Sequence, residues 1–283
     1  MPAWIALGGA VLVGVFTALQ ARINGQLGAR LDDGLVAAAV SFGSGLVILI
    51  VLSAALPAGR RGYAALIDGV RSRGIPWWML AGVVAGQALC GLILDRVGYG
   101  PAGVVAVTVP RLIGGALALV AVGIALTGDG LSGIPLWMLV LPLLTGIGIA
   151  WQQATNGRLR QRVGTPLTAT LVNFVGGTIL LLLAAAIHVG IVGVPASFPA
   201  DAWLYFGGAI GVVYIFMSAA LVAHTGVLLL GLGAVVGQLG MSFALDALWP
   251  APASPGPVQE LAMVLVALLS VVVATVPWGR LRR

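Results

Sequence analysis

Polar residues interrupt this chain only at widely spaced points, and between the interruptions the apolar residues run on without alternation. Bounded by Pro, Gly and charge, these runs predict helices near 4–21, 35–56, 77–94 and 111–127, followed by 136–155, 166–189, 203–223, 226–248 and 259–277. Each approaches the roughly 20 apolar residues that one crossing of a bilayer requires. A strand reading would need period-two alternation, and only helices or closed barrels carry a backbone through lipid with its N–H and C=O groups satisfied. The expected fold is therefore all-α, a polytopic transmembrane bundle of about nine hydrophobic helices.

The polar punctuation repeats. Gln20-x3-Asn24-Gly25-x-Leu27, followed by Ser41-Phe42-x2-Gly45, returns 132 residues later as Gln152-x3-Asn156-Gly157-x-Leu159, followed by Asn173-Phe174-x2-Gly177. A second pair, Gly82-x3-Gly86-Gln87-x6-Leu94-Asp95 and Gly233-x3-Gly237-Gln238-x6-Leu245-Asp246, lies 151 residues apart. Two related halves, 1–128 and 129–283, are what membrane carriers use as inverted repeats around a central site. The halves are unequal, because Trp203 to Gln238 is 35 residues and the matching step from Trp78 to Gln87 is 9. The first half thus reads as about four helices and the second as five. Segment 77–95 reaches about 28 Å at ~1.5 Å per residue, enough for one crossing and not for two.

Composition names the solvent. With 60% hydrophobic and 8% charged residues, the chain has too little polar surface for a water-soluble globule. Its net charge of +6 comes from arginine alone. Those arginines form no clustered, aromatic-interleaved patch, so nucleic acid is not an expected partner. Cys90 is the only cysteine, which excludes an internal disulfide and a thiolate metal cluster. Met1-Pro2-Ala3-Trp4 has no basic residue ahead of the first apolar run, so that run reads as a retained span and not a cleaved signal. Trp4, Trp77, Trp78, Trp137, Trp203, Trp249 and Trp278 fall near run ends, at headgroup depth.

With a cytoplasmic amino terminus, Arg60, Arg61, Arg71, Arg73, Arg96, Arg111, Arg158, Arg160, Arg162, Arg280, Arg282 and Arg283 lie inside. Arg22 and Arg30, beside Asp32 and Asp33, lie outside. That asymmetry obeys the positive-inside rule. It also puts both ends of 77–95 in the cytoplasm. Either that segment is re-entrant or residues 1–60 insert upside down, and both arrangements stay open. Dragging the loop 57–76 through the bilayer is the least favourable route, since a central charge costs about 2.5–3.5 kcal/mol on insertion scales.

Together, the Gln20-x3-Asn24-Gly25 helix end, the Ser41-Phe42 and Asn173-Phe174 helix starts and the Gly-Gln-x6-Leu-Asp elements resemble the drug/metabolite transporter superfamily, and within it the YdcZ-like branch of bacterial inner-membrane proteins. The resemblance implies two inverted five-helix repeats, cytoplasmic termini, a midplane cavity and a multi-pass place in the bacterial cytoplasmic membrane. The function it implies is secondary transport, by alternating access, of a small organic solute, with export favoured by analogy. The departure at 77–95 keeps an alternative open: a non-transporting membrane interaction protein or an inactive relative.

Polar side chains inside a bilayer face protein, water or solute. Gln20 and Asn24 stand one helical turn apart and mark an inward stripe that Gln152 and Asn156 mirror. With Asn173, Gln87 and Gln238 they are the candidates for a solute cavity. The competing reading is hydrogen bonding between helices. Gly82, Gly86, Gly233 and Gly237 read as helix-packing positions, as do Gly207 and Gly211. Asp95 and Asp246, the repeated carboxylates, are candidates for proton coupling or simple interfacial helix ends. His188 and His224 read as solvated helix-end residues. The few acidic, His and Cys residues are too dispersed for a metal site or a catalytic constellation, so neither enzyme chemistry nor a cofactor is expected. The expected partners are the lipid bilayer and a small-molecule solute. A homodimer is compatible with the chain, and nothing in the sequence demands it.

Overall fold

The computed structural model describes residues 2–72, 108–125, 140–249 and 256–275. Segment 77–94, with Gly82, Gly86 and Gln87, lies outside the described residues, as does Asp95. Among them all regular structure is helical: α1 (Ala3–Leu31), α2 (Gly34–Ala55), α3 (Pro57–Arg71), α4 (Val109–Ala125), α5 (Val140–Val163), α6 (Pro166–Val192), a short 3-10 turn (Ala202–Tyr205), α7 (Gly207–Leu248) and α8 (Pro257–Thr275). α1, α2, α6, α7 with the turn before it, and α8 are long and apolar enough to cross a membrane.

Several boundaries differ from the expected runs, for one physical reason. Apolar runs report where lipid begins, whereas helices continue into the headgroup layer wherever good helix formers follow. α1 therefore extends past Asn24 to Leu31, and α5 carries Arg158, Arg160 and Arg162 in its final turns. The expected loop 57–76 is largely a helix. Pro57 starts α3, Arg60, Arg61, Asp68 and Arg71 face out, and Gly59 and Gly62 are buried. An amphipathic helix with so many charges leaves no apolar run to read. The expected pair 203–223 and 226–248 forms one element broken at Gly226, whose φ of 73° and ψ of 170° only glycine adopts easily.

The chain divides into two compact units, and each takes pieces of both sequence halves. The first comprises residues 1–15, 84–154 and 221–283; the second comprises 16–83 and 155–220.

In the second unit the repeat becomes geometry. α1 ends at the left-handed Asp32 (φ 50°), and α5 ends before the left-handed Gly164 (φ 77°), which occupies the same place in the repeat. The next residue in each hairpin is an N-cap: Asp33 accepts from the Leu35 and Val36 amides at 2.9 Å, and Thr165 accepts from the Leu167 amide at 3.2 Å. The two helices that follow interlock reciprocally. The Phe174 ring fills the space over Gly45, the Phe42 ring fills the space over Gly177, and the ring centroids are 5.0 Å apart. Residue 42 meets 177 while 45 meets 174, so α2 and α6 run antiparallel, as inverted repeats require.

α3 packs on the same assembly. Gly62 backs onto Thr165 and Thr168, while Ala65 and Leu66 join Leu159, Val163 and Ala169. The arginines of α3 and those ending α5 therefore occupy one end of the unit. Arg30, paired with Asp201 at 3.1 Å, occupies the other with Asp33 and His188, which lie 3.3 Å apart. His188 is thus paired and not merely solvated.

The first unit is built on small residues. α4 and α8 are antiparallel: Gln259 Nε2 donates to the Ile124 carbonyl at 2.6 Å near one end, and a methyl on Gly114 would lie 2.7 Å from the Ser270 carbonyl near the other. The start of α1 lies directly on the second arm of α7, where Gly14 abuts the Ala234 carbonyl and Gly237 the Val11 carbonyl. Ala118, Ala121, Leu228, Leu232, Ala267 and Val271 form the core between these helices. Outward faces in both units are apolar, for example Ile179, Leu183 and Ile187 on α6 and Leu261, Leu265 and Leu268 on α8. In water these would be an exposed patch; in lipid they are the solvent-facing side.

Candidate functional site

Gln20 and Asn24 project from one face of α1, as their spacing predicts. Gln20 is buried, and its Nε2 donates to the Gly207 carbonyl at 3.1 Å. Gly207 opens α7, and a methyl placed there would overlap Asn24 Oδ1 and lie 3.1 Å from Ser41 Oγ. One turn on, a methyl at Gly211 would overlap Gln20 Nε2 and lie 3.3 Å from Phe174 Cζ. Gly208 abuts the Ser41 carbonyl and Ser44 Oγ, which itself bonds that carbonyl at 3.0 Å. The glycines let the α7 backbone approach the polar stripe of α1 and the start of the repeat motif on α2.

Several polar atoms there lack partners. Asn24 Oδ1, Ser41 Oγ and both amide atoms of Asn173 are buried without a hydrogen bond, although Ser41 is only 2% exposed and Asn173 4%. Thr155, Thr168, Thr178 and Ser218 have unpartnered hydroxyls in the same unit. Among the described residues of the other unit, only Gln153 Oε1 is in that condition. A buried group without a partner forfeits about 1–3 kcal/mol, so native proteins fill such places with water or ligand.

The remaining candidates are distributed. Asn156 is buried in the second unit, Gln152 is half-buried in the first, and Gln238 is half-buried beside Gly237. Gly233 and Gly237 lie against Ala10 and Val11 of α1. Asp246, near the end of α7, shares a hydrogen bond with the carboxyl of Glu260 in the first turn of α8. Glu260 escaped the sequence reading because it has no repeat partner; its place at a helix start, where negative charge is favoured, was the available signal. Ser41 also escaped, although it is the repeat counterpart of Asn173. Gly207 was read only as a packing position. Among the described residues no His, Cys, Asp and Glu converge as a metal-holding group.

A family model described as "Putative inner membrane exporter, YdcZ" matches residues 5–84 and 137–273. The stretch left unmatched, 85–136, takes in Asp95 and the end of the segment in which the first half falls short of the second. No curated protein and no solved structure matches the chain. The matched region holds both sister hairpins and most of the chain, and the function that the family's description names is of the membrane-transport kind. The chain is a multi-pass protein of the bacterial inner membrane whose surroundings are the lipid bilayer. It belongs to the YdcZ family of inner membrane transport proteins.

Proposed function

We propose that the protein is a secondary carrier that exports a small organic solute by alternating access between its two inverted repeats, residues 1–128 and 129–283. The observation that carries this reading is the pair of buried, unpartnered polar side chains at equivalent repeat positions, Ser41 and Asn173. A packed bundle gains little from such groups, because hydrogen bonds between helices contribute only about 1 kcal/mol and these atoms make none. A pathway that takes up solute or water gives them partners. Gln20, Asn24, Asn156 and Asn173 would then line that pathway in the second unit, and Gln152 and Gln238 are the candidates of the first. Gly233 and Gly237 would set helix contacts. Asp246 would hold the coupling proton, with Asp95 as its counterpart in the first half. One chain carries both repeats, so the mechanism needs no homodimer.

The test is untargeted profiling of small molecules in medium and cells for bacteria making wild type, the Asn173→Leu variant or neither, at equal membrane levels. At least one organic solute should leave the cell several times faster with wild type than with the variant. Identical profiles in all three strains would support the second reading, a non-transporting membrane protein, which the unmatched stretch 85–136 favours.

A further inference from the structure

We propose that Gln20, Asn24 and Ser41 recognise a neutral solute carrying a carbonyl-type acceptor beside an N–H or O–H donor, and that the Gly207 backbone occupies this place as the solute's stand-in. The inference rests on the carrier reading and deepens it by naming the class of solute. Gln20 Nε2 already donates to a carbonyl, that of Gly207, at 3.1 Å. Asn24 Oδ1 and Ser41 Oγ point at the same glycine, are buried, and receive no hydrogen bond. An amide oxygen can only accept, so Asn24 Oδ1 needs a donor at this position, and the Ser41 hydroxyl, which accepts as readily as it donates, can take one too. One donor group and two acceptor sites thus converge on a spot whose present occupant supplies a carbonyl and no hydrogen. A carboxamide, a urea or a hydroxy-ketone supplies both.

Charge narrows the class further. The atoms nearest a methyl at Gly207 belong to an amide and a hydroxyl, with no carboxylate or guanidinium among them. Arg22 sits two residues from both Gln20 and Asn24, which turns it to the opposite face of α1; it has an interaction of its own, although its Nε is buried without a hydrogen bond. Arg30 is paired with Asp201, and Asp33 is engaged with the α2 amides and His188. A charged solute would be buried here without a counter-charge, the least favourable condition for an ion away from water. Since Gly207 fills the spot, solute entry requires the start of α7 to withdraw from α1 and α2. The glycine row at 207, 208 and 211 gives that contact no side chain to unlock.

Three scaffolds, each as a neutral amide, a carboxylate and a quaternary ammonium, test this directly: nicotinamide, nicotinate and 1-methylnicotinamide; benzamide, benzoate and benzyltrimethylammonium; butyramide, butyrate and butyltrimethylammonium. Binding to the purified full-length protein is read by thermal stabilisation across a concentration series. At least one amide should bind at least tenfold more tightly than both charged forms of its scaffold. Asn24→Leu and Ser41→Ala should each weaken it at least fivefold, and Asn24→Asp should turn the preference toward the cation. Should Asn24→Leu fail to fold, Ser41→Ala, which only removes an unpartnered oxygen, decides the matter alone. Binding of charged members only, amide binding unchanged in the variants, or no amide binding at all overturns the proposal. Export of a charged solute, lost in Asn173→Leu, would overturn it while leaving the carrier reading intact.

Discussion

The two compact units are made of similar helices and hold them together by different means. In the first, glycines bring backbone against backbone: Gly14 meets the Ala234 carbonyl, Gly237 the Val11 carbonyl and Gly114 the Ser270 carbonyl. The second has such contacts as well, Gly208 against the Ser41 carbonyl and Gly59 against the Ser53 carbonyl, and adds an interlock of side chains, with Phe42 over Gly177 and Phe174 over Gly45. A carbonyl fixed in a helix cannot step aside, whereas a ring can change rotamer. The second has contacts that can be exchanged, and it also contains most of the buried polar groups that lack partners.

The largest effects should come from testing that contrast with a single methyl group. Gly237→Ala drives a methyl into the Val11 carbonyl and should cost more than about 3 kcal/mol, beyond the usual range for overpacking, because the obstacle is backbone. Gly177→Ala meets only the Phe42 ring, which is half-buried and can yield, so its cost should stay near ~1 kcal/mol. Reversible unfolding in mixed micelles measures both, and equal losses would erase the distinction between the units. The rings come next. Phe174 is fully buried in a core cluster with Leu49, Leu171, Val212 and Ile215, so Phe174→Ala should cost about 3 kcal/mol. Phe42 is partly exposed, and Phe42→Ala should cost roughly half as much despite occupying the equivalent repeat position. Matching losses at the two positions would mean that the pseudo-symmetry is energetic as well as geometric.

How far the sequence carried this reading can be judged at the same residues. Ser41-Phe42-x2-Gly45 and Asn173-Phe174-x2-Gly177 identified the two helices that interlock, because the repeat preserves both the ring and the notch. That each ring fills the other helix's notch was not legible, since a repeat specifies like positions and not which of them meet. Asp32 gave no sign of being the counterpart of Gly164, because a left-handed Asp and a left-handed Gly share a backbone angle and no chemistry. α3 was missed because hydropathy reports lipid contact, and α3 faces water on one side and protein on the other. At the candidate site, Gln20 and Asn24 were visible as amides out of place in an apolar run. Ser41 and Gly207 were not, since a serine or a glycine in a transmembrane helix is ordinary until its neighbours are known.

The smallest expected change in stability carries the most functional weight. Asn173→Leu exchanges an amide without partners for an apolar side chain of similar volume. Removing a buried group that makes no hydrogen bond leaves nothing else unsatisfied, so the folded state should shift by less than about 1 kcal/mol and in the stabilising direction. Transport should nevertheless be lost, because the same amide is then missing from the pathway. A structural amide behaves the other way: Gln259→Leu in the first unit strands the Ile124 carbonyl and should destabilise by about 0.6 kcal/mol or more. Measuring unfolding and export on the two variants side by side separates a unit kept polar for its solute from one kept polar for its packing. If Asn173→Leu unfolds the protein while Gln259→Leu is silent, the polar interior of the second unit is a scaffold and the unpartnered atoms have no bearing on transport.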